Sequence, residues 1–422
     1  MQSLSRINAK RRSSARSGSL MPAIAVALVA ILGGTALVLN RLWLDTARTE
    51  LRTAAEAAAL AAGRELANDD LLRKDFNPDA HAMKARLAAA RIAVENVVAG
   101  DQQLLNTDVG GDVRFGRLVI AEDGETIFME TEHQPTTVTI QARRTSDRQW
   151  PVSLPFSTLA GPNAADVIAT AEATLDNHVV GLRTVDELPV PALPIAILAA
   201  AVPQASPVSS PNNVHPQNDT ATPAAPLPTW VREIEQRRGS DRFAFDPSNG
   251  SVSEGSDGIP EIRLRTVSAE GRVPDGNAFF LALHGDLTIN DLQRQITNGW
   301  SARDLEPLGG ELSLGRGSLT LAGLRGVDSG SMGESLRKMI GQPRVCLLYD
   351  QADMAANGPV AQLHCVGFVA GRVMTVTEAS AGVMEMVFQP TVMTSRSAVV
   401  AEENAASNVS MNPYLYKLRL TN

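Results

Sequence analysis

One uncharged stretch limits what this chain can fold into more than any other feature. No side chain from Ser17 to Asn40 is charged, and the centre of the stretch, Leu20 to Leu39, reads LMPAIAVALVAILGGTALVL. As a helix rising about 1.5 Å per residue, it covers roughly 30 Å, the depth of one bilayer core. Pro22 falls in the first turn, where a missing N–H costs little. Trp43 follows the far end, at the depth where an interfacial ring is favoured. The residues before the run include Arg6, Lys10, Arg11, Arg12 and Arg16 and no acid. The positive-inside rule therefore predicts a cytoplasmic N-terminus, a transmembrane helix over 20–40, and a body on the other side, periplasmic or extracellular. The expected site is the inner (cytoplasmic) membrane, crossed once. Gly34-Thr35-Ala36 also fits a small-x-small cleavage site, so a removed signal peptide is the alternative. The run continues through Leu37-Val38-Leu39, which favours the anchor. Ala27, Ala30 and Gly34 fall on one stripe, which would let a second helix approach closely; alanine abundance accounts for the stripe equally well.

The next segment, WLDTARTELRTAAEAAALAAGREL, has high helix propensity. Leu44, Ala47, Leu51, Ala54, Ala58 and Ala61 recur three and four apart, which makes one apolar seam. Arg48, Arg52 and Glu56 lie off that seam, with Arg52 and Glu56 spaced as an i,i+4 pair. The expectation is an amphipathic stalk over 41–67 that packs beside copies of itself or related helices, with Arg48, Leu51 and Glu56 carrying the contacts. A plain spacer is the alternative.

Leu37 to Gly63 resembles the N-terminal segment of TadG-like proteins of Tad (Flp) pilus assembly. Gly18-Ser19 matches that family's Gly-led start. Ala47-Arg48, Glu50-Leu51, Ala54-Ala55 and Ala57 to Ala62 match its alanine segment. Asn40 stands where the family has Asp, and Glu56 where it has a second Asp. Prepilin-type processing after Gly18 would need an acid at the position of Ala23, so no such cleavage is expected. The resemblance implies a bacterial cell-envelope protein that works in pilus assembly or secretion through helix packing and protein contacts, without enzymatic activity. Its implied partners are the cytoplasmic membrane, pilus-assembly or envelope proteins, and other copies through the N-terminal helix.

Beyond the anchor, the hydrophobic period changes from helical to two. Residues 79–98 read as a helix closed by Gly100-Asp101. Val113–Ile120, 127–129, 136–142 and 167–175 read as strands, and Glu122-Asp123-Gly124 as a turn. Residues 199–229 hold one charge, Asp219, and seven prolines fall within 201–228. Such a segment builds no core and reads as a linker. Residues 230–422 alternate short apolar runs with turns, which predicts a mainly β, sandwich-like or irregular domain with short helices at 289–299 and 331–340. The fold class is therefore α+β. A basic tail (1–19), transmembrane helix (20–40) and stalk (41–67) lead to a small α+β domain (68–198), the linker (199–229) and a mainly β domain (230–422).

Little in the sequence carries catalytic chemistry. There is no phosphate-binding glycine loop, nucleophile elbow or zinc-protease motif, and the six histidines are scattered. A net charge of −8 and 4% aromatic residues argue against nucleic-acid binding. The expectation is a chain with no cofactor and no catalytic residue. Asp328, Ser329 and Ser331 approach an Asp-x-Ser-x-Ser divalent-cation motif, one residue short; a turn capping the following helix is the other reading. The alternative function is thus an envelope-anchored binding module or adhesin, with its ligand or metal site on the C-terminal domain. Cys346 and Cys365 lie in adjacent candidate strands. If Tyr349 faces Gln362, they fall opposite each other and could form a disulfide outside the cytoplasm.

Overall fold

A computed structural model describes residues 20–120, 125–159, 161–200, 227–269, 271, 275–285, 287–315, 318–327, 329–354, 360–380, 383–402 and 409–421. The basic tail, the turn at 122–124 and residues 201–226 of the expected linker lie outside the described residues. The class is α+β as expected: a long apolar N-terminal helix, a smaller helix, then mostly strands.

The expected transmembrane and stalk segments form one unbroken helix, α1, Leu20–Leu66, of 47 residues. At 1.5 Å per residue it is about 70 Å long, roughly twice a bilayer core. Gly33-Gly34 does not interrupt it, because helix-forming neighbours continue on both sides. A 3-10 turn at Asp69–Leu72, capped by Asn68, then reverses the chain. Helix α2, Pro78–Glu95, starts with Pro78 in its first turn and with the Asn77 side chain accepting from the Ala80 amide. It buries Ala82, Ala85, Ala89 and Ala93 against α1. Alanines on both helices let the axes come close.

Both helices rest on a six-stranded sheet. Its order is Met393–Thr394, Leu415–Leu420, Val167–Asp176, Thr137–Arg144, Val113–Ile120 and Thr126–Glu130. Leu51, Ala54, Ala58 and Ala62 of α1 meet Val113, Val138, Ile140, Ala171 and Ala173 of this sheet in one core. The stalk seam expected to face other copies is therefore spent within the chain.

The second sheet has seven strands. Five of them, Leu319–Leu324, Ala278–Ala282, Ala192–Leu198, Pro343–Met354 and Val360–Ser380, pair in a closed ring, because the last returns to pair with the first. Ile262–Arg265 and Val383–Pro390 extend it from the far end of Val360–Ser380. The sandwich-like expectation gives way to this ring. Segments 363–369 and 373–377 are one 21-residue strand that pairs with different partners along its length. Gly371 lies in that strand where any Cβ would strike the Phe388 ring. Phe279, Leu321, Leu347, Tyr349, Leu363 and Cys365 fill the inside of the ring. Ile195, Phe280, Cys346 and Val369 face outward against Leu292, Ile296, Met332 and Leu336 of two short helices, Ile289–Asn298 and Ser329–Arg337.

The two sheets exchange segments across the expected boundaries. Ala192–Leu198, assigned by sequence to the unit ending at residue 198, lies inside the ring between Ala278–Ala282 and Pro343–Met354. Leu415–Leu420, assigned to the C-terminal unit, pairs with Val167–Asp176 in the first sheet. Strand identity is local in sequence, whereas a strand's partner is set by which open edge its apolar face fits.

The cysteine register also differs from expectation. Tyr349 is opposite Cys365, and Cys346 is opposite Val369, because the hairpin strands run on as far as Met354 and Ala361. The two sulfurs therefore lie on opposite faces of the sheet, Cys365 inside the ring and Cys346 outside it. Both are buried free thiols, not a disulfide.

Candidate functional site

Helix α1 changes environment along its length. Met21, Ile24, Val26, Leu28, Val29, Ile31 and Leu32 are half exposed or more. The most apolar eighteen-residue window has a mean hydropathy of 2.4, and only 6% of it is buried in the protein. An exposed apolar surface of this extent marks a contact with a membrane or with another protein. Ala27, Ala30 and Gly34 lie in this exposed half, and a Cβ built at Gly34 meets nothing within 4 Å.

Contact with the body begins in the last turns of the apolar run, where Ala36 is buried. Asn40 is 5% exposed, and its Oδ1 accepts from the Phe156 amide at 3.1 Å. Trp43 Nε1 donates to the Ser153 carbonyl at 3.1 Å. Asp45 then pairs with Arg41 (3.3 Å) and Arg48 (2.8 Å) on the exposed side. Glu56, half-buried, accepts from Arg52 at 2.8 Å. Leu51 is 0% exposed, so it packs inside the core and offers nothing to another molecule.

Three positions on or just after this helix were not singled out by sequence. Glu50 Oε2 accepts the Ala99 amide at 2.8 Å, holding a tight turn in which Ala99 and Gly100 both have positive φ. Gly63 lies so close to the last strand that a Cβ there would be 2.8 Å from Leu418 Cδ1 and 3.8 Å from Ala173 Cβ. Asp69 ties the turn after α1 to the second sheet and to the segment that follows it. One oxygen accepts from Thr391 Oγ1 (2.6 Å) and the Val392 amide (2.8 Å), and the other pairs with Arg372 (2.6 Å). Glu50 and Gly63 belong to the segment that carries the family resemblance, and that was the signal available for them. Asp69 lies beyond it and its partners are some 300 residues away, so no local pattern marks its role.

On the second unit, a cleft of about 700 Å³ opens beside the hairpin Phe243–Asp246/Ser251–Glu254, lined by Arg242, Glu254, Glu261, Arg263, Thr375 and Glu385. Glu261 is committed to the fold, accepting the amides of Arg242 (3.0 Å) and Phe243 (2.8 Å). Burial pushes its carboxyl above the usual range, and these amides offset only part of the shift. Among the described residues, no group of three His, Cys, Asp or Glu side chains is placed to hold a metal. Of the cation motif, Asp328 and the Ser329 side chain lie outside the described residues, and Ser331 sits in the first turn of Ser329–Arg337.

No curated protein and no solved structure matches this chain. Residues 18–65 match a family model described as putative Flp pilus-assembly, TadE/G-like. The match ends one residue before α1 does, so it takes in both the exposed apolar half and the alanine half that the sheet buries. Over residues 18–65, which take in nearly all of α1, this chain is similar to the Flp pilus-assembly TadE/G-like family.

Proposed function

We propose that the chain is a single-pass, membrane-anchored component of Tad (Flp) pilus assembly or secretion, acting by protein contacts. Its N-terminus lies in the cytoplasm and its folded body outside the inner membrane. The observation that carries this reading is the division of α1 within the family-matched segment. Its first half exposes a bilayer's length of apolar side chains, and its second half is the central helix of the folded body. The body is therefore held close to the membrane by a continuous helix rather than on a free stalk. Ala27, Ala30 and Gly34 form the face through which this helix meets another in the membrane plane, either a second copy or a related pilus-assembly protein. Arg48 and Glu56 remain on the stalk surface for envelope partners. To test this, the full-length protein is fractionated and spheroplasts are treated with external protease. Membrane partition and digestion of the body are expected; a soluble chain, or a protected C-terminus, overturns the reading.

The cleft near Arg242 and Arg263 favours a second reading, an envelope-anchored binding module. A small ligand that raises the melting temperature of the full chain, with the rise abolished by Arg263→Ala, would support it.

A further inference from the structure

We infer that the hairpin around residues 154–159 is a second membrane contact, seated in the outer headgroup layer beside α1. This rests on the reading that α1 spans the bilayer. The hairpin stem pairs Val152–Ser153 with Ala164–Ala165, and residues 149–165 contain no charged side chain. Two hydrogen bonds fix its level on α1. Ser153 is held at Trp43 (3.1 Å) and Phe156 at Asn40 (3.1 Å). Three residues along the hairpin thus move three residues down the helix, about 4.5 Å toward the apolar run. Asn40 itself directly follows Leu39, the last residue of that run.

The same face stays covered one turn deeper. Ala36 is 2% exposed, while Ile31, Leu32, Leu37 and Val38 around it are 50% exposed or more. The folded body therefore reaches into the last turns of the span instead of stopping at its end. Bonds from Ser157 N to the Leu154 carbonyl (3.3 Å) and from Leu159 N to the Phe156 carbonyl (3.2 Å) keep the tip tightly turned. Leu154 is buried, Pro155 is exposed, and Leu159 is 58% exposed. An uncharged turn with Pro155 and Leu159 exposed and Phe156 half-buried, fixed at the boundary depth of a spanning helix, suits lipid headgroups and upper acyl chains. It would also hold the body in one rotation about α1, which a single helix cannot do.

The test uses full-length protein in vesicles of phosphatidylethanolamine and phosphatidylglycerol. Leu159→Cys, Leu28→Cys and Ser248→Cys are each labelled with an environment-sensitive fluorophore. The unsubstituted chain is the blank, because Cys346 and Cys365 are 0% exposed. The 159 probe is expected to be shielded from aqueous iodide and quenched more by lipids carrying a nitroxide near the headgroup than near the chain end. The 28 probe should reverse that order, and the 248 probe should respond to iodide alone. A 159 probe open to iodide while the 28 probe is quenched by lipid overturns this inference and leaves the anchor intact. A 159 probe shielded from both quenchers means that protein covers the tip, which also overturns it. A 28 probe open to iodide defeats the anchor itself.

Discussion

Arg86, Arg144 and Arg372 are 3%, 1% and 8% exposed, and each is held between a carboxylate and an aromatic face. Arg86 meets Glu132 and the Phe115 ring; Arg144 meets Asp101 (3.0 Å) and Trp150; Arg372 meets Asp69 (2.6 Å) and Phe245. Pairing and ring contact together offset the cost of burying a guanidinium. Several of this chain's scarce rings are thus used to hold arginines, not ligands. Asp304 shows the same economy with a carboxylate. Burial alone would raise its pKa, but Arg294, Ser301 and Gln295 all donate to it and hold it well below the usual carboxylate range. Asp304→Asn should cost about 2 kcal/mol at neutral pH, below the largest figures for buried pairs because Arg294 is 35% exposed. The folded pKa lies below the unfolded one, so this contribution is complete above about pH 4 and is lost as pH falls further. Urea unfolding of both proteins should therefore show a gap at pH 7 that narrows toward about pH 2. The cysteines give a second residue-scale expectation. Burial pushes the Cys365 thiol up to about 12, helped by Asp350, and burial pushes Cys346 higher still. Alkylation of the native chain should modify neither, and denaturation without reductant should release two reactive thiols. A single reactive thiol or none would contradict the sheet register. Adjacent cysteine strands were legible in the sequence; which face each sulfur takes was not, because a register shift or bulge moves a side chain to the other face.

At the scale of the element, α1 was legible almost completely. Charge gap, alanine seam and propensity marked a helix from about residue 20 into the 60s, and the structure gives Leu20–Leu66. What periodicity left open was the occupant of the seam. An apolar stripe looks the same whether it meets a second copy or the chain's own strands. Gly63 tests the packing found. Gly63→Ala should be close to neutral: the Leu418 methyl at 2.8 Å can swing aside, and alanine gains about 1 kcal/mol of helix propensity over glycine. Gly63→Leu should push α1 off the strand and cost about 1–3 kcal/mol, the range for overpacking a tight contact. Thermal melts of the two variants should separate clearly; equal melting would mean that α1 does not press on Leu415–Leu420. Glu50 gives a smaller check. Glu50→Gln still presents an oxygen to the Ala99 amide and should lose less stability than Glu50→Ala, which leaves that tight turn unheld, at about 1 kcal/mol.

For the whole molecule, the decisive feature is that the chain's last strand completes its first sheet. Leu415–Leu420 lies between Val167–Asp176 and Met393–Thr394, and Thr421 Oγ1 also reaches Glu172 at 2.9 Å. Removing residues 413–422 should therefore unfold or aggregate the unit built on the first sheet, far away in sequence, by exposing the long edge of Val167–Asp176. Limited proteolysis should then cut within 68–176 in the truncated chain and spare it in the full one. If the truncated chain resists as well as the full one, the strand is dispensable. The membrane-length helix, the helical and strand segments, the α+β class and the pilus-assembly resemblance could all be read from the sequence, because each follows from patterns a few residues long. Tertiary structure alone decided that the alanine seam closes an internal core, that Asp69 joins Arg372 and Thr391, that five strands close a ring, and that the final strand returns to the first sheet. Those outcomes depend on which distant edges and faces fit, and residue pairs hundreds of positions apart leave no local pattern to read.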